Sequence, residues 1–298
     1  MRGRYGLGRQ AARVYRELRA AIEAGELARG TKLPAFPVLA RQFGVAPMTI
    51  RQALLRLDAE GLVERRHGVG TFVRRSEAAA AAADLAAPYL AALLAGDRDV
   101  AVRVALEEGL ARGLAVPDLY LGVIQPAQVR IGDLWQENRL TVAQEHVATA
   151  ISQLVLALAY PALPCAPSNG KRVLVACAED ELHDLGARMA ADFFEMAGFD
   201  VRYLGANLPT DSLVGMVRED PPDLVALSVT MAFHLDAARA VVRRLRVGAG
   251  DRMRVALGGQ AFTWAADLPA QLGADVYAGS IVDALASARC VLGLEAVA

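Results

Sequence analysis

Lys171-Arg172-Val173-Leu174-Val175-Ala176-Cys177, followed after three residues by Glu181-Leu182-His183-Asp184-Leu185-Gly186, is the stretch on which the fold turns. An apolar, β-branched run leads through a polar loop to a glycine that opens a helical pattern, the signature of a strand–loop–helix unit. Comparable runs recur at 200–204, 224–229, 253–258 and 274–278, each separated by roughly the length of a crossover helix. Repeated units of this kind predict a parallel, doubly wound sheet of Rossmann or flavodoxin type over 171–298. Its binding crevice lies outside the carboxyl ends of the strands. The loop that carries His183 then stands at the mouth of the crevice.

Toward the N-terminus, Pro161, Pro164 and Pro167 make 161–170 a stiff, extended linker. Residues 88–160 are strongly helical, with breaks near Gly96-Asp97, from Gly113 to Pro117 and at Asn138-Arg139, which predicts a four-helix bundle. Thr141 with Gln144 is a capping-box pair, so the last helix starts there with Glu145 and His146 in its first turns. Residues 76–87 are an alanine-rich connector, either a solvent-facing helix extension or a plain linker. In 1–75, Ala11, Val14, Tyr15, Leu18 and Ile22 form one face of an amphipathic helix, and 34–43 suggest a short second helix. Gly44-Val45-Ala46-Pro47 is a tight turn with proline opening a third helix, which buries Ile50, Ala53, Leu54 and Leu57. Residues 62–73 alternate β-formers around a glycine-containing turn. Three helices and a hairpin predict a winged helix-turn-helix, so the chain is a multidomain combination of α+β and α/β parts.

The charge divides with these domains. Residues 1–75 hold 15 Lys and Arg against 6 Asp and Glu, and the remainder holds 17 against 27. That asymmetry suits a chain with one part facing a polyanion. On the third helix Met48, Thr49, Arg51, Gln52 and Arg56 are available to DNA, and Arg65, Arg66 and His67 at the wing tip are placed to reach backbone or minor groove. The three scattered cysteines, Cys165, Cys177 and Cys290, suggest neither a disulfide framework nor a thiolate zinc site and fit a reduced cytoplasm. An N-terminus with Arg2, Arg4 and Arg9 and no apolar h-region argues against export, and no stretch is expected to approach a membrane span.

His183 and Glu181 are the chemically pointed pair. A neutral imidazole ligates a transition metal through one nitrogen while a carboxylate two residues away accepts the proton on the other, fixing tautomer and basicity. Gly186 lets a bulky group approach the backbone. Trp135 ends one helix and Glu145 and His146 open the next, so a large aromatic, a carboxylate and an imidazole could pack on and hydrogen-bond an adenosyl group. The same three residues also fit a core tryptophan with surface Glu and His. His234 is assigned no role.

Two resemblances sharpen this reading. Gly30-Thr31-Lys32-Leu33-Pro34, Thr49-Ile50-Arg51-Gln52-Ala53-Leu54, Glu60-Gly61-Leu62 and Gly68-Val69-Gly70-Thr71-Phe72-Val73, in this order, resemble a GntR-type domain. Phe36-Pro37 and Pro47 stand where that family usually carries charged residues, two of them arginines that contact DNA. Glu181-Leu182-His183-Asp184-Leu185-Gly186, with Ser228-Val229-Thr230 and Gly258-Gly259 closing later strands, resembles the Asp-x-His-x-x-Gly signature of cobalamin-binding domains, with Glu181 for the usual Asp. The resemblance implies His183 as lower axial cobalt ligand, Ser228 and the neighbouring Thr230 beside the displaced nucleotide tail, and Gly258 and Gly259 leaving room for it. Trp135 followed by Glu145-His146 resembles the helical cap of CarH-type, adenosylcobalamin-dependent, light-responsive repressors, with Gln136 where those carry a second histidine.

Together these imply a cytoplasmic regulator, not an enzyme, with adenosylcobalamin or another cobalamin as cofactor. A double-stranded DNA operator is its partner, and the chain is a homo-oligomer, dimer or tetramer. A corrinoid carrier for methyl transfer, and a GntR-type regulator with a different effector, are the competing expectations.

Overall fold

The computed structural model describes residues 9–23, 27, 30–59, 62–66, 70–73, 77–249, 253–262, 268–277 and 280–294. The chain falls into two compact units, Met1–Ala91 with Val102–Ala127, and Ala92–Ala101 with Gln128–Ala298.

In the first unit, α1 (Arg9–Glu23), α2 (Phe36–Phe43) and α3 (Pro47–Ala59) precede a hairpin of β1 (Val63–Arg66) and β2 (Gly70–Val73). α1 buries Ala11, Val14, Leu18 and Ile22, spaced as one helical face, and the last three share a core with Ile50, Ala53, Leu54 and Leu57 of α3 and Leu39 of α2. α2 stops because Gly44 takes a left-handed φ of 63° and returns its N–H to the carbonyls of Ala40 and Arg41. Proline at the start of α3 has no N–H to leave unpaired. The hairpin pairs Val63 with Val73 and Arg66 with Gly70, and Val63 and Val73 close the small core.

From 77 to 159 the chain is helical. α4 (Glu77–Ala95) is followed by a rod of α5 (Arg98–Val102), a π-helical turn Arg103–Glu108 and α6 (Gly109–Ala111). The next rod runs from α7 (Val116–Leu119) through a π-helical turn Tyr120–Ile124 to α8 (Gln125–Gln136), and α9 (Val142–Ala159) completes the region. The alanine-rich stretch expected as a connector is therefore the first half of α4. It is not solvent-facing throughout, since Ala82 and Leu85 are buried. A Cβ on Gly122 would lie 2.6 Å from the Ala82 methyl, so small residues set the approach of these two elements. Thr141 caps α9 with the expected box, its hydroxyl accepting the Gln144 N–H while its own N–H donates to Gln144 Oε1 at 2.9 Å.

One expectation is corrected. Ala78–Ala95 and Val142–Ala162 do reach the length and composition of a membrane span, at mean hydropathy 1.6 and 1.2. Runs of Ala and Leu carry few charges, but each helix buries one face, including Leu85, Tyr89 and Leu93 on α4 and Ile151, Val155 and Leu156 on α9.

The α/β part follows the sequence reading closely. β3 (Arg172–Cys177), α10 (Leu185–Met196), β4 (Asp200–Gly205), α11 (Thr210–Glu219), β5 (Leu224–Ser228), α12 (Leu235–Ala249), β6 (Arg254–Gly258), α13 (Leu268–Gln271), β7 (Val276–Tyr277) and α14 (Ile281–Val291) alternate along the chain. The strands are parallel in the order β4-β3-β5-β6-β7. Alternation along β3 sends Val173, Val175 and Cys177 to one face, against Ala187, Ala191 and Phe194 of α10. Leu174 and Ala176 go to the other, with Leu213 of α11 and Val241 of α12. The chain leaves β3 for β4 on one side and returns to β5 on the other, so the strand order reverses between β3 and β5, the position at which doubly wound sheets bind their ligands.

Candidate functional site

Sheet register brings three strand ends into one row. Cys177 pairs with Ser228, and Ser228 with Gly258. Beyond this row the ends of β5 and β6 stay joined, as the Val229 N–H donates to the Gly258 carbonyl at 2.9 Å and the Ala261 N–H to the Val229 carbonyl at 3.2 Å. A Cβ on Gly259, whose φ is +109°, would stand 2.2 Å from the Val229 oxygen. The site thus has glycine at 259 for a reason internal to the backbone. Gly258 and Gly186 differ, because a Cβ on either would meet nothing within 4 Å.

Glu181 is fully buried at the centre of the two loops that leave β3 and β5. Its Oε1 lies 2.6 Å from His183 Nδ1 and accepts the His183 N–H at 3.0 Å, and its Oε2 accepts the N–H groups of Thr230 at 2.8 Å and Met231 at 2.9 Å. Burial pushes this carboxyl up, but the hydrogen bonds from His183, Met231 and Thr230 outweigh it and hold the group at about 2. The hydrogen bond to Glu181 raises the His183 pKa, with the charges of Glu181, Glu145 and Asp184 adding to it against desolvation. With Nδ1 engaged by a carboxylate, the imidazole of His183 presents Nε2 as its lone-pair donor, and its side chain is 45% exposed.

The His183 loop is held from several directions, by residues that sequence reading did not select. Asp180 takes a left-handed φ of 64°, and its N–H donates to Asn207 Oδ1 at 3.0 Å, while the Asn207 N–H returns to the Glu181 carbonyl at 2.9 Å. Glu179 accepts the N–H and hydroxyl of Thr210 at the start of α11, which lowers its pKa. Asp184 accepts from Gln153 of α9 at 3.0 Å and from the Tyr203 hydroxyl at 2.9 Å. Arg188 lies over the rings of Tyr160 and Tyr203, centroids 5.0 and 5.5 Å away, and pairs with buried Asp192 at 3.0 Å. The left-handed Asp and Asn were the one available signal, since those residue types tolerate that conformation.

On α9, Glu145 is half-buried and accepts the Thr149 hydroxyl at 2.8 Å, and exposed His146 has Nε2 3.6 Å from its other oxygen. Gln128 on α8 donates to Ser152 at 2.6 Å and to the Ala148 carbonyl at 3.2 Å, fixing these two helices together. Trp135 is half-buried near the end of α8. Among the described residues no hydrogen bond or ring contact joins it to Glu145 or His146.

Of the expected DNA-facing residues, Arg51 and Gln52 are exposed on α3 and Thr49 is half-buried in its first turn. Arg65 is exposed on β1, its guanidinium 5.8 Å from the Phe36 ring centroid. Arg66 belongs to β1 by its backbone, while its side chain and all of His67 lie outside the described residues.

Residues 171–289 match the B12 binding domain, residues 85–160 a second model of the same description, and residues 10–73 the bacterial regulatory proteins of the gntR family. The chain joins a GntR-family domain to a B12-binding domain. The B12-binding part is 25% identical over 200 residues to trimethylamine corrinoid protein 1 of Methanosarcina acetivorans, an alignment spanning 66% of this chain and 91% of that protein. It is 32% identical over 140 residues to the HTH-type transcriptional repressor CarH of Myxococcus xanthus, spanning 47% of this chain and 46% of the repressor. In fold, the Methanosarcina barkeri monomethylamine corrinoid protein matches 70% of this chain and 98% of its own at a TM-score of 0.62 and 17% identity.

The donor set of the B12-binding domain fits a corrinoid cobalt. One imidazole nitrogen is free for the metal, its partner nitrogen is tied to a buried carboxylate, and the open faces of Gly186 and Gly258 leave space beside it.

Proposed function

We propose that this protein is a cobalamin-dependent transcription regulator, whose GntR-family domain binds an operator with an affinity set by corrinoid occupancy of the α/β domain. The observation that carries the reading is the Glu181–His183 pair at 2.6 Å on the carboxyl edge of a B12-binding domain that shares its chain with a DNA-binding domain. His183 holds cobalt through Nε2, and Glu181 keeps the imidazole in the ligating tautomer. Ser228 and Thr230 serve the nucleotide tail, with Gly258 and Gly259 shaping its slot. Trp135, Glu145 and His146 face an upper ligand such as adenosyl. When bound, the cofactor supplies a cobalt–carbon bond whose upper group is large enough to be sensed and is open to cleavage by light. Thr49, Arg51, Gln52, Arg65, Arg66 and His67 contact DNA.

Regulation requires that the corrinoid bind two arrangements of the chain unequally. A symmetric homo-oligomer then presents, or withholds, two recognition helices about one DNA turn apart. The protein acts in the cytoplasm, as a repressor without catalytic turnover.

Dark incubation of the full chain with adenosylcobalamin, gel filtration, and operator binding before and after green light test this reading. The expected result is a coloured protein whose DNA affinity changes with occupancy or illumination. A colourless protein, or one whose DNA binding ignores the cofactor, overturns it. The corrinoid-protein relatives favour a second reading, a carrier for methyl transfer. Methyl turnover with a reduced corrinoid and no operator binding would establish that instead.

A further inference from the structure

In the winged helix, strand alternation puts Arg65 on the same face of the hairpin as Val63, with Thr71 opposite it and Val73 opposite Val63. Val63, Val73 and Thr71 are buried, so Arg65 carries the inner row of β1 outward to exposed surface. The segment before α2 is tied to the same hairpin. The Val73 N–H donates to the Thr31 carbonyl at 3.0 Å, and the Leu33 N–H to the Thr71 carbonyl at 2.9 Å. Three residues beyond Leu33, Phe36 opens α2 between Pro34 and Pro37, each of which fixes its own φ. The Phe36 side chain is half-buried and packs against the core that Leu33, Val63 and Val73 help to form. Its place relative to β1 is therefore set by backbone hydrogen bonds on one side and by core packing on the other. The Arg65 guanidinium lies over this ring, 5.8 Å from its centroid. Among the described residues no ion pair joins Arg65 to a carboxylate. Attraction to a ring face consumes none of the five guanidinium N–H donors, so the held cation keeps them for an anion.

We propose that Phe36 is a positioning residue for DNA binding, its ring holding the Arg65 guanidinium in place to meet a backbone phosphate. This rests on the DNA-binding reading above and adds a residue outside the set that faces the duplex. An unrestrained arginine loses rotamer freedom when it grips a phosphate, and that loss weakens binding. A guanidinium already gathered onto a fixed aromatic ring loses less. Phe36 brings no charge of its own, so it changes how readily the contact forms and not how many phosphates are neutralised.

The test titrates the full chain against a labelled duplex of mixed sequence at several salt concentrations, with and without adenosylcobalamin, following fluorescence anisotropy. The variants are Phe36→Leu and Phe36→Met, which lose the ring, Phe36→Tyr, which keeps it, Arg65→Ala, and each aliphatic variant combined with Arg65→Ala. Two aliphatic replacements are used because Phe36 touches the core, and the one whose melting matches the parent is scored. Loss of the ring is expected to weaken binding about two- to five-fold, with the slope of log K against log salt unchanged. Phe36→Tyr should restore parental affinity. Arg65→Ala should reduce the slope by about one, and removing the ring in that background should cost nothing further. An equal loss with and without Arg65 overturns the proposal, because Phe36 would then act through the domain core. Parental affinity in the aliphatic variants overturns it, as does an unchanged slope in Arg65→Ala, while duplex binding by the parent leaves the DNA-binding reading standing. If the parent binds no duplex in either cofactor state, that reading itself fails.

Discussion

His183 is useful because of what Glu181 does to it. A buried carboxylate with four hydrogen bonds orients the ring and leaves one nitrogen for a ligand. Glu181→Gln keeps the shape but loses the charge, and is expected to lower corrinoid affinity roughly 10–100-fold in a titration followed by absorbance. His183→Ala should leave the protein colourless after gel filtration. The glycines separate structural from ligand-driven constraint. Gly259→Ala puts a methyl against the Val229 carbonyl at a positive φ, so melting should show a loss of about 1–3 kcal/mol without any cofactor present. Gly258→Ala meets open space in the apo chain and should melt close to the parent, so any defect would emerge only on adding the corrinoid.

Between elements, Asp184 is the joint. It receives Gln153 from α9 and Tyr203 from β4, so the helix carrying Glu145 and His146 is tied to the loop carrying His183. Tyr160 strengthens the same seam by donating to Glu195 at 2.7 Å and stacking on Arg188. Asp184→Ala strands these donors, and urea unfolding should register a loss of about 1–3 kcal/mol. Tyr203→Phe removes only the hydroxyl contact, and its loss should be smaller. None of this was legible beforehand, since Asp184 is 31 residues from Gln153 and 19 from Tyr203. The strands were legible, because β-branched runs between polar loops declare themselves locally. The alanine-rich start of α4 was not, because alanine suits a linker and a helix equally until a partner such as Gly122 buries it.

At the scale of the whole molecule, acid should unfold the α/β domain through its paired carboxylates. Burial pushes Asp275 up, but Arg246 at 2.5 Å, the Val255 N–H at 2.7 Å and Arg254 hold it below its ordinary value. Asp223 is lowered in the same way by the Arg172 N–H and Lys171. Groups with depressed folded pKa values stabilise fully above the unfolded value, ~3.9, and that contribution disappears as pH falls through the folded value. Melting temperature should therefore drop with acid below about pH 5, and Asp275→Asn should flatten that limb while lowering stability at neutrality. The basic N-terminal portion makes a separate prediction. Operator affinity should fall steeply with salt, and Arg51→Ala or Arg65→Ala should reduce the slope by about one if that side chain contacts phosphate.

Period and punctuation, which are local properties, were enough to determine the winged helix, the helical rods, the order of βα units and the place of His183 at a strand end. The pairing of that histidine with Glu181 was legible two residues away, but the donors that hold the Glu181 carboxylate charged in its burial were decided only by folding. The reversal of strand order sets the β5 loop against the β3 loop, so backbone N–H groups at 230 and 231 reach a carboxylate 49 and 50 residues away. A buried charge takes its character from the donors that converge on it, and convergence belongs to the three-dimensional arrangement.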